Sequence, residues 1–383
     1  MILHELMDYE TLRVIWWVLL GVLLIAFAAT DGFDMGVGTL LPFVGKTDLE
    51  RRVAINTVGP VWEGNQVWFI LGGGAIFAAF PTLYAVSFSG FYLAMFVVLA
   101  SLILRPVAFK YRSKRDDPKW RNRWDWALFV GGTVPPVIFG VAIGNTIQGA
   151  PFRLNDDLLS IYEGSFFALL DPISLLFGLT ALAMTVMHGG AWLGLKADGP
   201  VAERGRAIGE KAALAVIALF ALNGLILATL VPGYQFVNPV DTAGPSNPLF
   251  NEVARGGSWL SAYAERPWIV FAPIMGFAGA AGAWLGLRAR NEGLTFLSSS
   301  ASVAGMILTV GLTMFPFILP STLDPNSSLT VWDSTSSHKT LFIMLFATAI
   351  FLPLILLYTA WVYKVLWGKV DEDSVAASSD TVY

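Results

Sequence analysis

Apolar residues in this chain come in long unbroken runs, not in strict alternation. Eight runs stand out, at roughly 13–37, 82–105, 124–144, 166–191, 212–232, 267–287, 295–319 and 340–365. A helix needs about 20 residues to cross a bilayer, and these runs reach that length. Continuous runs predict helices, because the strands of a membrane barrel would alternate. One further stretch, 53–80, is apolar but is interrupted by Asn56, Glu63, Asn65 and Gln66.

Charge placement settles that stretch. Lys and Arg gather in "GKTDLERR" (45–52), "KYRSKRDDPKWRNR" (110–123), "KADGPVAERGRAIGEK" (196–211) and "RARNEG" (288–293). Short basic loops stay in the cytoplasm. The first two clusters share a side only if two spans separate them, so 53–80 crosses. The prediction is an all-α polytopic membrane protein with nine transmembrane helices, its N-terminus outside and its C-terminus cytoplasmic. The loops 145–165, 233–266 and 320–339 carry few basic residues and fall outside. No linker divides the chain, so 1–383 reads as one transmembrane domain. The longest irregular stretch is 233–266, and the polar tail 368–383 reads as loose. The first span is led by His4, Glu5, Asp8 and Glu10 with no small-residue cleavage site, so it reads as a retained helix, not a signal peptide.

Composition agrees. Hydrophobic residues make up 55% of the chain and charged residues 14%, against roughly 25% in an average soluble domain. No basic patch suggests a nucleic-acid partner. The absence of cysteine excludes disulfides, iron–sulfur clusters and thiolate metal sites.

Polar residues inside the spans carry the candidate chemistry. On one continuous helix over 53–80, Arg52, Asn56, Gly59, Glu63, Gln66 and Gly73 fall within a sector of roughly 80°. Glu63 then sits near mid-depth, where an ionisable group costs about 2.5–3.5 kcal/mol and normally faces protein or water. It either handles protons or fixes helix packing as a neutral acid. In "ATDGFDMGVG" (29–38), Asp31 and Asp34 are i, i+3 and share a face, and Gly32, Gly36 and Gly38 allow close helix approach. The acid pair either collects protons or partners Arg52 or Arg105. Arg105-Pro106 ends the third span and reads as a snorkelling anchor. "WRNRWDW" (120–126) reads as an interfacial aromatic belt. Asp171 before Pro172 reads as a helix N-cap. The three histidines, His4, His188 and His338, include no pair, so a bis-histidine haem site is excluded and His188 is a poor metal candidate.

Four blocks carry a resemblance: "RVIWWVLLGVLLIAFAATDGFDMGVG" (13–38), "VWEGNQVW" (61–68), "FSGFYLAMFVVLASLILRPVAFKYRSK" (88–114) and "MFPFILPSTLDPNSSLTVWDSTSS" (314–337). Together they resemble subunit II of cytochrome bd-type quinol oxidases over nearly the whole chain. The resemblance implies a haem-free subunit of a terminal oxidase in the bacterial cytoplasmic (inner) membrane. It implies two four-helix bundles plus one peripheral helix. The partner subunit I would hold two b-type haems and one d-type haem, small single-span subunits would join, and a structural quinone is possible in some members. It places Glu63, Asp31 and Asp34 on a proton path from the cytoplasm; the helical stripe adds Gln66 and Asn56 to that path, and Arg105, Asn65 and Trp62 are candidate supporting residues beside it. The family pattern has Asp where this chain has Glu63, one methylene longer. A proton-coupled secondary transporter is the rival reading, and a purely structural scaffold a second.

Overall fold

The structure is a computed structural model that describes residues 6–377. His4 lies outside the described residues. The helices run α1 (Tyr9–Val44), α2 (Asp48–Val58), α3 (Trp62–Ala79), α4 (Pro81–Gly90), α5 (Tyr92–Tyr111), α6 (Pro118–Gln148), α7 (Pro172–Lys196), α8 (Gly199–Thr229), α9 (Ser261–Glu265), α10 (Phe271–Ala289), α11 (Glu292–Met314), α12 (His338–Val365) and α13 (Glu372–Ala377). Among the described residues, eight helical segments, in α1, α5, α6, α7, α8, α10, α11 and α12, are long and apolar enough to cross a membrane.

The four basic clusters meet at one end. Arg51 and Arg112 both pair with buried Asp125, Arg204 pairs with Glu50, and Arg206 and Lys369 share Glu292. The other end holds three small antiparallel hairpins: β1 (Phe152–Leu154) with β2 (Ser160–Tyr162), β3 (Pro232–Phe236) with β4 (Val253–Ser258), and β5 (Phe317–Leu319) with β6 (Leu329–Thr330). These hairpins, and α9, give regular structure to loops that the sequence pattern leaves irregular.

Helices α1, α3, α5 and α6 pack in one group and α7, α8, α10 and α11 in another, joined where α1 and α6 meet α7. Small residues set that joint. A methyl on Gly36 would collide with Thr185 O and come within 2.8 Å of Gly189 Cα. Only a residue without Cβ lets α1 lie that close to α7. Helix α12 is peripheral and touches mainly α1 and α3.

The continuous helix expected over 53–80 is two helices. Pro60 has no N–H, and its ring blocks the carbonyl four residues back, so the helix stops at Val58 and restarts at Trp62. Before the break, "TDLE" forms a capping box: Thr47 accepts from Glu50 N–H, and the Glu50 carboxylate accepts from Thr47 N–H. After it, α3 lies antiparallel along α1, with Asn65 beside Asp34 at its start and Ala79 bonded to Ser336 at its end. The run expected at 82–105 is likewise divided at Phe91 into α4 and α5.

The tail is docked as far as it is described, contrary to the loose tail expected. Val370 pairs with the turn between α7 and α8 through Lys196 O and Asp198 N–H, and Val375 is buried in the core. A polar sequence hides this because one apolar side chain and backbone pairing do the docking.

Candidate functional site

The buried polar residues of the first helix group converge toward the basic end. Asp31 and Asp34, one helical turn apart on α1, both point inward. Arg105 reaches Asp31 from α5 with two parallel bonds, Nη2 to Oδ1 at 2.6 Å and Nη1 to Oδ2 at 2.9 Å. Arg105 is 2% exposed, so it is not the snorkelling anchor its position suggested. The reason is local. α5 continues through Pro106 to Tyr111, which places Arg105 inside the helix instead of at its end. Gly131 of α6 makes room for it, since a methyl there would lie 2.7 Å from Arg105 Cγ. A bidentate pair of this kind adds geometric specificity to the attraction. Of the two partners the sequence offered, Asp31 has Arg105.

Asp34 is different. It is 3% exposed, and its Oδ2 accepts from Asn65 Nδ2 at 2.8 Å. Asn65 Oδ1 in turn accepts from the Tyr363 hydroxyl at 2.7 Å. Asp34 Oδ1 has no hydrogen-bond partner among the described residues. An open carboxylate oxygen in a buried place calls for an explanation, because such atoms are nearly always paired.

Glu63 is not in this group. It opens α3 beside the helix break, 66% exposed, with Lys110 Nζ 3.8 Å away. It lies at the basic end of α3, not at mid-depth. Residues 63 and 65 are two apart, so their side chains point about 200° apart around the helix. Asn65 faces Asp34 while Glu63 faces outward. The polar stripe needed an unbroken helix, and Pro60 removes it. Gln66 is half-buried on α3. Asn56 is buried at the end of α2, with its amide donating to Arg52 O at 2.8 Å. Trp62 is buried and stacks on Phe109 at 4.9 Å, bracing the break.

His188 is fully buried between the two helix groups. Its Nε2 lies 2.9 Å from Ala29 O and its Nδ1 2.8 Å from Ser299 Oγ. Both ring nitrogens are engaged, so the residue does not fit an axial haem ligand. Among the described residues no three His, Asp or Glu side chains form a metal-binding group. Asp171 caps α7 as expected, accepting from Ile173 and Ser174 N–H.

Sequence reasoning missed Tyr363 and Asp125. Asp125 sits in "WRNRWDW", which reads as an interfacial belt, and Tyr363 in the last turn of the run 340–365. The only available signal was one polar group amid aromatic neighbours. Outside the spans, the Glu50 carboxyl is held down to about 2, chiefly by bonds from Arg204 and from the Lys46 and Thr47 N–H groups, against the opposing effect of burial.

Residues 12–366 match the family model described as cytochrome bd terminal oxidase subunit II. The chain is 45% identical over 379 residues to the cytochrome bd-I ubiquinol oxidase subunit 2 of Escherichia coli K12, covering 99% of this chain and 100% of the relative. It is 31% identical over 370 residues to the cytochrome bd ubiquinol oxidase subunit 2 of Bacillus subtilis 168, covering 94% and 97%. Its fold is similar to a chain in the solved bd oxidase of Geobacillus thermodenitrificans, with TM-score 0.68, 17% identity, and coverage of 94% and 100%. The chain therefore belongs to the cytochrome bd terminal oxidase subunit II family, as a multi-pass subunit of an oxidoreductase complex in the bacterial inner membrane.

Proposed function

We propose that this chain is the haem-free subunit of a quinol oxidase, supporting a haem-bearing subunit I and conducting cytoplasmic protons toward it. The relatives are named for ubiquinol, and quinol is the electron donor we infer. Two b-type haems and one d-type haem in subunit I would carry the electrons to oxygen. Reduction of one oxygen molecule to water consumes four electrons and four protons, and drawing those protons from the cytoplasm makes the reaction electrogenic. A structural quinone and single-span accessory subunits belong to the same reading. A proton-coupled secondary transporter is not favoured, given the family.

The observation that carries the proton reading is the unequal pair of acids on α1. Asp31 has both carboxylate oxygens bonded to Arg105. Asp34 has a neutral amide on one oxygen and no partner among the described residues on the other, so it can gain and lose a proton without breaking an ion pair. Glu63 is then the acid presented outward, toward the surface a partner would cover, with Gln66 one turn on and Asn56 behind the break. Nine crossings fit this reading, in two four-helix bundles plus peripheral α12, with the N-terminus outside and the C-terminus cytoplasmic. Helix α3 is the ninth crossing. At 18 residues it is about 27 Å long, close to the hydrocarbon thickness.

Asp34→Asn tests the reading in the assembled complex, with haem content checked first. Oxygen reduction should slow about tenfold or more, equivalent to about 1.4 kcal/mol of barrier. A fully haem-loaded Asp34→Asn complex turning over at the parental rate from pH 6 to 8 would refute it.

A further inference from the structure

Helix α12 is the least packed of the long helices. Phe346, Leu354, Leu357 and Trp361 are all exposed, Leu357 at 69%. Its last turns are nonetheless pinned. Lys196 Nζ donates to Leu366 O at 2.9 Å, Val370 N–H donates to Lys196 O at 2.7 Å, and Val375 beyond them is 1% exposed. The helix is thus held at both ends, since at its start Leu341 is buried and its carbonyl accepts from Trp16 Nε1 at 3.0 Å. The anchored last turn is the one that carries Tyr363, and Tyr363 reaches inward to Asn65.

We infer that Tyr363 is a positioning residue that sets the Asn65 amide against Asp34 and lets that amide serve both protonation states of the acid. This rests on the reading of Asp34 as a proton carrier. A phenol can donate or accept, and an amide has one end of each kind. The observed arrangement suits an ionised Asp34: Tyr363 donates to Asn65 Oδ1, and Asn65 Nδ2 donates to Asp34 Oδ2. A proton can land on the open Oδ1 of Asp34 without displacing any bond. When it is carried on Oδ2 instead, the amide turns by half a rotation. The acid then donates to Asn65 Oδ1, and Asn65 Nδ2 donates to the Tyr363 oxygen. The Asn65 amide is bonded at both ends in either arrangement, so the acid can titrate on Oδ2 without losing its bond to the amide. Tyr363 itself keeps its proton throughout.

The charged or titratable side chains acting on Asp34 are Asp31 on its own helix, Arg105 from α5 and Tyr363 from α12. His188 from α7 is engaged with Ala29 and Ser299, and Glu63 is on the far face of α3. A shift in the pH profile on altering Tyr363 is therefore read at Asp34, because Asp31 and Arg105 neutralise one another.

Tyr363→Phe in the assembled complex removes one oxygen and keeps the ring that meets Trp192. Haem content and melting temperature should match the parent. Oxygen reduction should fall about fivefold, the rate equivalent of one neutral hydrogen bond, and the pH profile should move. The infrared carbonyl band of protonated Asp34, identified by its absence in Asp34→Asn, should shift as well. Asn65→Leu is the second variant, and adding Tyr363→Phe to it should cost nothing further, because the phenol acts only through the amide. A Tyr363→Phe complex with parental rate, pH profile and carbonyl band overturns the positioning role while a slow Asp34→Asn leaves the proton reading intact. Additive effects of the two variants overturn it equally. A parental rate in Asp34→Asn removes the reading beneath both.

Discussion

The chain buries charge at both ends, and the two burials are built differently. At the loop end, Arg13 is wholly buried and donates through Nε to Thr335 Oγ1, through Nη1 to Thr242 O and through Nη2 to Gly244 O, with its guanidinium 3.7 Å over the Tyr9 ring. Nearby, Asp333 accepts on Oδ1 from Thr330 N–H and on Oδ2 from Thr330 Oγ1 and Asn251 Nδ2. Both carboxylate oxygens are filled. At the basic end the Asp31–Arg105 pair is closed in the same way, but Asp34 beside it keeps one oxygen open. Closed centres fix geometry. The loop-end centre ties α1 to the loops that carry Thr242 and Asp333, while the basic-end centre leaves one carboxylate oxygen without a partner among the described residues.

The largest test of this contrast is Arg105→Met. It leaves Asp31 buried and unpaired, which costs about 3–5 kcal/mol. The expected result is loss of assembled, haem-containing complex, and assembly at the parental level would mean that Asp31 has another partner.

Next is the loop end. Burial pushes the Asp333 carboxyl up to about 6, against the opposing bonds from Thr330 and Asn251 and the charge of Arg13. A raised folded value means the folded chain holds its proton longer than the unfolded chain, whose carboxyl titrates near 3.8. Stability from this group is fully present below that value and is lost as pH rises through about 6, by up to about 3 kcal/mol. Melting of the purified complex should therefore show a fall from pH 4 to 7 that Asp333→Asn flattens. An unchanged pH dependence in the variant would assign the fall to other groups.

Smallest in stability is Glu63→Gln. Its exposed contact with Lys110 belongs to a class worth about 0–1 kcal/mol, so melting should hardly move. Oxygen reduction should still slow if Glu63 passes protons onward, and Glu63→Asp should keep much of the rate. A fully assembled Glu63→Gln complex at the parental rate would confine the proton role to the interior acid.

What could be read in the sequence followed from local rules. Run length and continuity gave membrane helices, since a bilayer demands internally bonded backbone of a set length. Basic clusters marked one end, and they do meet there as an ion-pair network. Asp171-Pro172 announced its cap, and the i, i+3 spacing put Asp31 and Asp34 on one face. Asn65 stood among the candidate supporting residues, though not as the partner of Asp34.

Tertiary structure decided the rest, for reasons that spacing cannot encode. A periodic stripe presumes an unbroken helix, and the break at Pro60 turned Glu63 outward while Asn65 stayed inward. The partner of a buried acid is set by which helix packs opposite. Arg105 lies 74 positions from Asp31, and Tyr363 lies 298 positions from Asn65. Hydropathy treats Arg105 and Tyr363 as ordinary end-of-span residues. Only the packing of α5 and α12 against α1 and α3 shows that one closes an ion pair and the other reaches the amide that holds Asp34.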